Sequence, residues 1–250
     1  KVLCDQVFDR ENFIQIISVK TSTPSGVKVV NPGPVNVTEF VLNYAKKKSA
    51  VKFKHTYKQD RGYQKDYSNY VVNISDEPSK WQMRKVQEMV LEELGYESKK
   101  DLETKIGKKA AQHVLESAML DFCVNNSEQV FATFGANKPS KNLQLKIDES
   151  KLKRDVVIEV SREEKANYYI LNGRLLAFYS SKLKDIDGEV VPAQIVSDFW
   201  DDMSWDSVSI EGGVKLSNGK KPERFIKRII ELSTEPGDIV CDYHLGSGTT

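Results

Sequence analysis

An α/β fold with an inserted α+β segment is predicted, and three features of the 250 residues predict it. Pro236-Gly237 reads as a turn, Ile239-Val240-Cys241 as the short apolar run of a buried parallel-sheet strand, and Gly246 and Gly248 as a loop of close backbone approach before a helix opens. Residues 13–19 and 37–45 read as two further strands near the other end of the chain. Between these ends the pattern passes from helical spacing to period two, the mark of helices followed by a small antiparallel sheet.

In chain order, residues 13–19 are rich in isoleucine and valine, and a loop rich in proline and glycine separates them from the second strand. From residue 46 to 70 the composition shifts. Lys46, Lys47, Lys48, Lys52, Lys54, Lys58, Arg61 and Lys65 are interleaved with Phe53, Tyr57, Tyr63, Tyr67 and Tyr70, against only Asp60 and Asp66. Such a stretch is either a nucleic-acid surface, with cations on phosphates and aromatics against bases, or a solvated face whose tyrosines pack inward. Residues 81–94 set Val86, Met89, Val90 and Leu94 at helical spacing, with Gly95 as the stop. Ser98 caps a second helical stretch through Ile106, and residues 110–122 continue with Val114, Leu115 and Leu120 on one side. These helices form either a helix-turn-helix-like groove reader or plain scaffold. Residues 156–160, 168–171 and 174–179 alternate as strands, with Asn172-Gly173 marking a type I′ hairpin and Asp187-Gly188 a second turn. The organisation is therefore residues 1–45, an α+β insertion over 46–196, and residues 197–250.

The net charge of +1 gives no global attraction to nucleic acid, so any such binding rests on local clustering. Cys4, Cys123 and Cys241 lie far apart without C-x-x-C spacing, which disfavours a disulfide framework and a zinc site and suits a reducing cytoplasm. No histidine pair or carboxylate cluster has metal-ligand spacing, and His55 and His113 read as surface or core residues. There is no run of eighteen apolar residues and no apolar leader after Lys1.

The chemistry concentrates in Asp242-Tyr243-His244-Leu245-Gly246-Ser247-Gly248-Thr249-Thr250. This stretch resembles the D-x-F-x-G-S-G-T-T cofactor loop of the amino-methyltransferases of DNA, with His244 at the usual aromatic position. Residues 219–231, around Lys221-Pro222, resemble the K-P-x-x-L helix that precedes that loop in the circularly permuted β-class enzymes. Asp198-Phe199-Trp200-Asp201-Asp202-Met203-Ser204-Trp205 and Glu211-Gly212-Gly213-Val214 are similar to the modification subunits of type III restriction systems. The resemblance covers residues 197–250 firmly and the first fifty residues more loosely, where Glu39 to Lys46 fits the strand leading into a target-recognition region.

What the resemblance implies is a partial Rossmann-like, S-adenosylmethionine-dependent methyltransferase domain with a target-recognition domain inserted at 46–196. It assigns Asp242 to the methionine amine, Gly246 and Gly248 to close approach, Thr249, Thr250 and Lys221 to the carboxylate, and His244 to packing at the cofactor. DNA contacts are expected from Lys46, Lys47, Lys48, Lys52, Lys54, Lys58, Arg61 and Lys65. The implied target is the adenine exocyclic amine in double-stranded DNA, and the implied partners are a second copy and a restriction subunit. The family's catalytic D/N/S-P-P-Y/F/W motif is absent: no Pro-Pro pair occurs, and Asn31-Pro32-Gly33-Pro34 is interrupted by glycine. No catalytic residue is therefore assigned, and the chain reads as a fragment inactive on its own. Trp200 and Trp205 are either core residues or lining of the cofactor or base path. The competing interpretation is a DNA-binding or protein-interaction module with a remnant cofactor loop.

Overall fold

The computed structural model describes residues 1–24, 33–206, 208–216, 219–244 and 246–250, so Asn31, Pro32 and Leu245 lie outside the described residues. The chain divides into two compact units, Lys1–Lys58 with Gln194–Thr250, and Gln59–Ala193. The first unit opens with α1 (Val2–Phe8), β1 (Phe13–Lys20) and β2 (Thr38–Tyr44), and β3 (Tyr57–Gln59) passes into the second. There follow β4 (Asn69–Val71), β5 (Met83–Lys85), α2 (Val86–Glu93), α3 (Lys99–Ile106), α4 (Lys108–Asn125) and β6 (Val130–Phe134). Next come α5 (Lys141–Leu152), β7 (Ile158–Val160), β8 (Tyr168–Leu171), β9 (Arg174–Phe178) and β10 (Leu183–Ile186). β11 (Glu189–Ile195) leads back, and β12 (Phe199–Trp200) and α6 (Glu223–Ser233) belong to the first unit.

In the first unit the sheet order is β12-β1-β2, with β12 parallel and β2 antiparallel to β1. Alternation along β1 turns Ile17 and Val19 inward, where they meet Trp200, Met203 and Phe225. The helix α6 closes this core because Phe225, Ile226, Ile229 and Leu232 recur at helical spacing on one face. One cation is taken into that core. Arg228 is buried, grips Asp202 with two hydrogen bonds of 2.8 and 2.6 Å, and lies 5.2 Å from the Trp200 ring.

The expected buried strand at 239–241 is not found. These residues pair with no strand among those described, and Ile239 is 95% exposed. The physical reason is that an apolar run becomes a parallel strand only when neighbours supply its ladder and cover both faces. Here β12 and β2 occupy the two sides of β1.

The second unit is built on a six-stranded antiparallel sheet of order β5-β4-β6-β9-β8-β7. Alternation divides its residues between two faces. Val130 and Ala132 pack under α2, α3 and α4, while Phe131 and Leu176 join Trp81, Val71 and Val157 in a separate cluster. The helix α5 seats Ile147 against Ile170 and Leu175. The expected hairpin and the expected second turn both form: Asn172 and Gly173 have φ of 49° and 77°, and Asp187 and Gly188 of 55° and 88°, as type I′ turns require. Gly95 ends α2 at φ 75°, and Ser98 caps α3 by accepting from the Asp101 N–H at 3.2 Å.

Two expectations change. The helix begins at Val86 rather than residue 81, because Trp81 is held in a separate turn, its indole N–H donating to the Asp76 carbonyl at 3.0 Å. The sheet does not simply follow the helices: β4 and β5 precede them and β6 lies between α4 and α5. No helix among the described residues is long and apolar enough to cross a membrane.

Candidate functional site

The terminal loop folds around Asp242. Its Oδ1 accepts from the His244 backbone N–H at 3.1 Å, and its Oδ2 accepts from the Thr250 hydroxyl at 2.7 Å. The hydroxyls of Ser247 and Thr249 share a 2.7 Å hydrogen bond, and the Tyr243 and His244 rings are 4.4 Å apart. Gly246 and Gly248 sit at φ of 56° and 69°, the left-handed region where any other L residue is strained. The loop thus brings Asp242, His244 and Thr250 together by direct hydrogen bonds. It leaves an exposed carboxylate with free lone pairs beside hydroxyl donors and backbone unobstructed by side chains, a donor set that suits an amino acid ammonium and carboxylate.

Lys221 is engaged elsewhere. It pairs with Glu39 at 2.6 Å and stands 5.4 Å over the Trp205 ring. Trp205 packs on Phe225 with ring centroids 5.9 Å apart, and its indole N–H is buried without a partner among the described residues. Trp200 is fully in the core.

The basic stretch separates into tethered and free cations. Lys48 donates to the Phe13 carbonyl, Lys54 pairs with Glu235 at 2.5 Å, Lys58 pairs with Asp201 at 2.8 Å, and Arg61 donates to Gln59 at 3.3 Å. The Lys58 hydrogen bond and charge hold Asp201 below the ordinary carboxylate range. The side chains of Lys46, Lys47, Lys52 and Lys65 have no ion pair or hydrogen bond among the described residues. The aromatics divide as well. Tyr67 is buried, Tyr63 donates to its carbonyl at 3.2 Å, and Tyr70 meets Phe122 edge-on at 5.2 Å, while Phe53 and Tyr57 remain exposed. The inward-packing alternative therefore describes Tyr63, Tyr67 and Tyr70.

His55 and His113 are exposed, and among the described residues no group of three or more His, Cys, Asp or Glu is placed to hold a metal. Sequence reasoning did not find Glu39 as the partner of Lys221, nor the Arg228–Asp202 clamp. Neither has a local signal, since the partners are 182 and 26 residues apart.

The DNA methylase family matches residues 1–250. The probable type III restriction-modification enzyme HindVI Mod subunit of Haemophilus influenzae is 29% identical over 271 aligned residues, taking in 100% of this chain and 35% of that protein. The chain thus spans about a third of the length of the curated relative it matches. No solved structure matches.

Proposed function

Because the chain belongs to the DNA methylase family, we propose that it is part of a site-specific adenine methyltransferase that acts in a type III restriction-modification system. Its cofactor is S-adenosylmethionine, which supplies the methyl group on a sulfonium for in-line transfer to an exocyclic amine. The observation that carries this is the terminal loop, where Asp242, Thr250 and two glycines at positive φ form a polar cradle. Asp242 accepts from the methionine ammonium, Thr249 donates to its carboxylate and Thr250 does so on exchanging Asp242, and Gly246 and Gly248 let the backbone approach. Lys221 is a second carboxylate partner on exchanging Glu39, and His244 packs at the cofactor.

The segment 46–196 is the target-recognition part of the proposed enzyme, with Lys46, Lys47, Lys48, Lys52, Lys54, Lys58, Arg61 and Lys65 its DNA contacts. Lys46, Lys47, Lys52 and Lys65 support this most directly, their side chains being free of partners among the described residues. A second copy and a DNA-cutting restriction subunit complete the assembly in the cytoplasm. Extracting the target base and gripping its amine require the Pro-Pro motif that these 250 residues lack, so the chain alone transfers no methyl group.

Transfer of tritiated methyl from S-adenosylmethionine to duplex DNA tests this with the complete gene product and the 250-residue chain side by side. The first is expected to be active and the second silent. Methylation by the isolated chain refutes the missing-motif argument. Absence of cofactor binding by the complete product leaves a DNA-binding or interaction module instead.

A further inference from the structure

The second unit contains a polar cleft of about 520 Å3 between α2, α4 and the segment before β4. Three ammonium groups stand along it, those of Lys65, Lys85 and Lys99. Lys85 is tied to Asn69 at 2.7 Å, but Lys65 has no partner among the described residues, and the Lys99 ion pair with Glu103 is long at 3.8 Å. On α4 the residues facing the cleft are Gln112, Leu115, Glu116 and Met119. One helical turn earlier the same stripe reaches Lys108, which is exposed and unpaired among the described residues. The amide of Gln112 donates to Glu116 at 3.2 Å, which fixes its orientation and leaves its carbonyl and the second carboxylate oxygen free among the described residues.

We propose that this cleft holds a strand of DNA, with Lys65, Lys99 and Lys108 on phosphates at the rim and the Gln112–Glu116 pair facing base edges within. The chemistry favours this division. Glu88 and Glu116 repel phosphate from the interior, whereas a carboxylate accepts from a cytosine amine and an amide matches adenine, so the inside suits bases and the rim suits the backbone. The inference rests on DNA being the substrate, and it adds a surface of α3 and α4 to the contacts expected from the basic stretch.

The test is fluorescence anisotropy of the 250-residue chain with a labelled random-sequence duplex over a range of salt. Lys65→Gln/Lys99→Gln/Lys108→Gln is expected to lose about tenfold or more in affinity and to flatten the log–log salt slope by about 2.7, or about 0.9 per phosphate contact. Restoring charge with arginine at the same positions should recover both. A control, Lys138→Gln/Lys141→Gln/Lys165→Gln, removes equal charge from lysines that do not line the cleft and should leave the slope unchanged. Unchanged binding by the cleft variant, or equal loss by the control, overturns the cleft while leaving DNA as substrate. No binding by the chain when the complete gene product methylates DNA also overturns it. No binding and no methylation together sink the underlying function as well.

Discussion

Thr250 donates its hydroxyl to Asp242 Oδ2 at 2.7 Å, so the ends of the nine-residue terminal motif are closed on each other. The His244 N–H holds the other oxygen, which fixes the carboxylate without exhausting its lone pairs. Hydrogen bonds to a charged group contribute about 1.5–3 kcal/mol. In the complete gene product, Asp242→Ala should therefore weaken S-adenosylmethionine binding by about tenfold to a hundredfold, and Thr250→Val by only severalfold, because its hydroxyl exchanges one carboxylate acceptor, Asp242, for another. Titration calorimetry measures both. The reverse ranking would mean that Asp242 holds the loop and does not touch the cofactor.

The family was legible because the terminal motif is contiguous, but the surroundings of that motif were not. Asn172-Gly173, Gly95 and Ser98 announced their turns, stop and cap because the forces involved act within a few residues. Sheet order needs partners such as Phe131 and Phe178, which no local pattern connects. The helix α5 escaped notice because its sequence is largely polar and its buried residues are few, Ile147 and Ser150. Tyr67 looked like Tyr57 in composition, yet one is core and the other surface. Composition carries no direction. Ile239-Val240 failed as a strand for the related reason that burial belongs to the neighbours of a segment rather than to its residues.

Arg228 and Asp202 make a further prediction. Both are largely withdrawn from water, and removing Arg228 leaves Asp202 only the more exposed Arg224 at 3.8 Å, a loss at the low end of the about 3–5 kcal/mol for a broken buried pair. Arg228→Met should lower the urea midpoint of the first unit accordingly, and Arg228→Met/Asp202→Leu should regain most of the loss. If the double variant is no better than the single, the pair does more than satisfy itself.

The same pair sets a pH dependence. Burial by itself raises the Asp202 pKa, but the Arg228 hydrogen bonds and charge outweigh it and leave the value below the ordinary 3.8. The unfolded chain then binds the proton more tightly, so this contribution is complete above the unfolded value and disappears as pH falls through the folded one. Acid unfolding monitored on the wild type and Asp202→Asn should show the two curves converging below pH ~4 and separating above it.

Gly173 and Gly188 both lie at positive φ, where a side chain costs about 1–2 kcal/mol. A Cβ at Gly173 would also come within 2.6 Å of the Lys151 side chain, whereas Gly188 faces open space. Lys151 is flexible but pairs with Asp148 at 2.7 Å, so moving it disrupts that exposed contact. Gly173→Ala should therefore destabilise the second unit somewhat more than Gly188→Ala, followed through the indole N–H signal of Trp81. Equal losses would show that Lys151 moves aside freely.

Cysteine labelling examines packing and cofactor placement together. Cys123 is fully buried on α4, and burial pushes its thiol up to about 12. At pH ~9 it stays a thiol, and its burial keeps it out of reach of a reagent. Cys241 is exposed and immediately precedes Asp242. Iodoacetamide followed by mass spectrometry should therefore modify Cys241 rapidly and Cys123 only after denaturation. Reaction of native Cys123 would mean that α4 does not pack as described. In the complete gene product, S-adenosylmethionine should slow labelling of Cys241 without changing Cys123. An unprotected Cys241 in the presence of bound cofactor would place the ligand away from this loop.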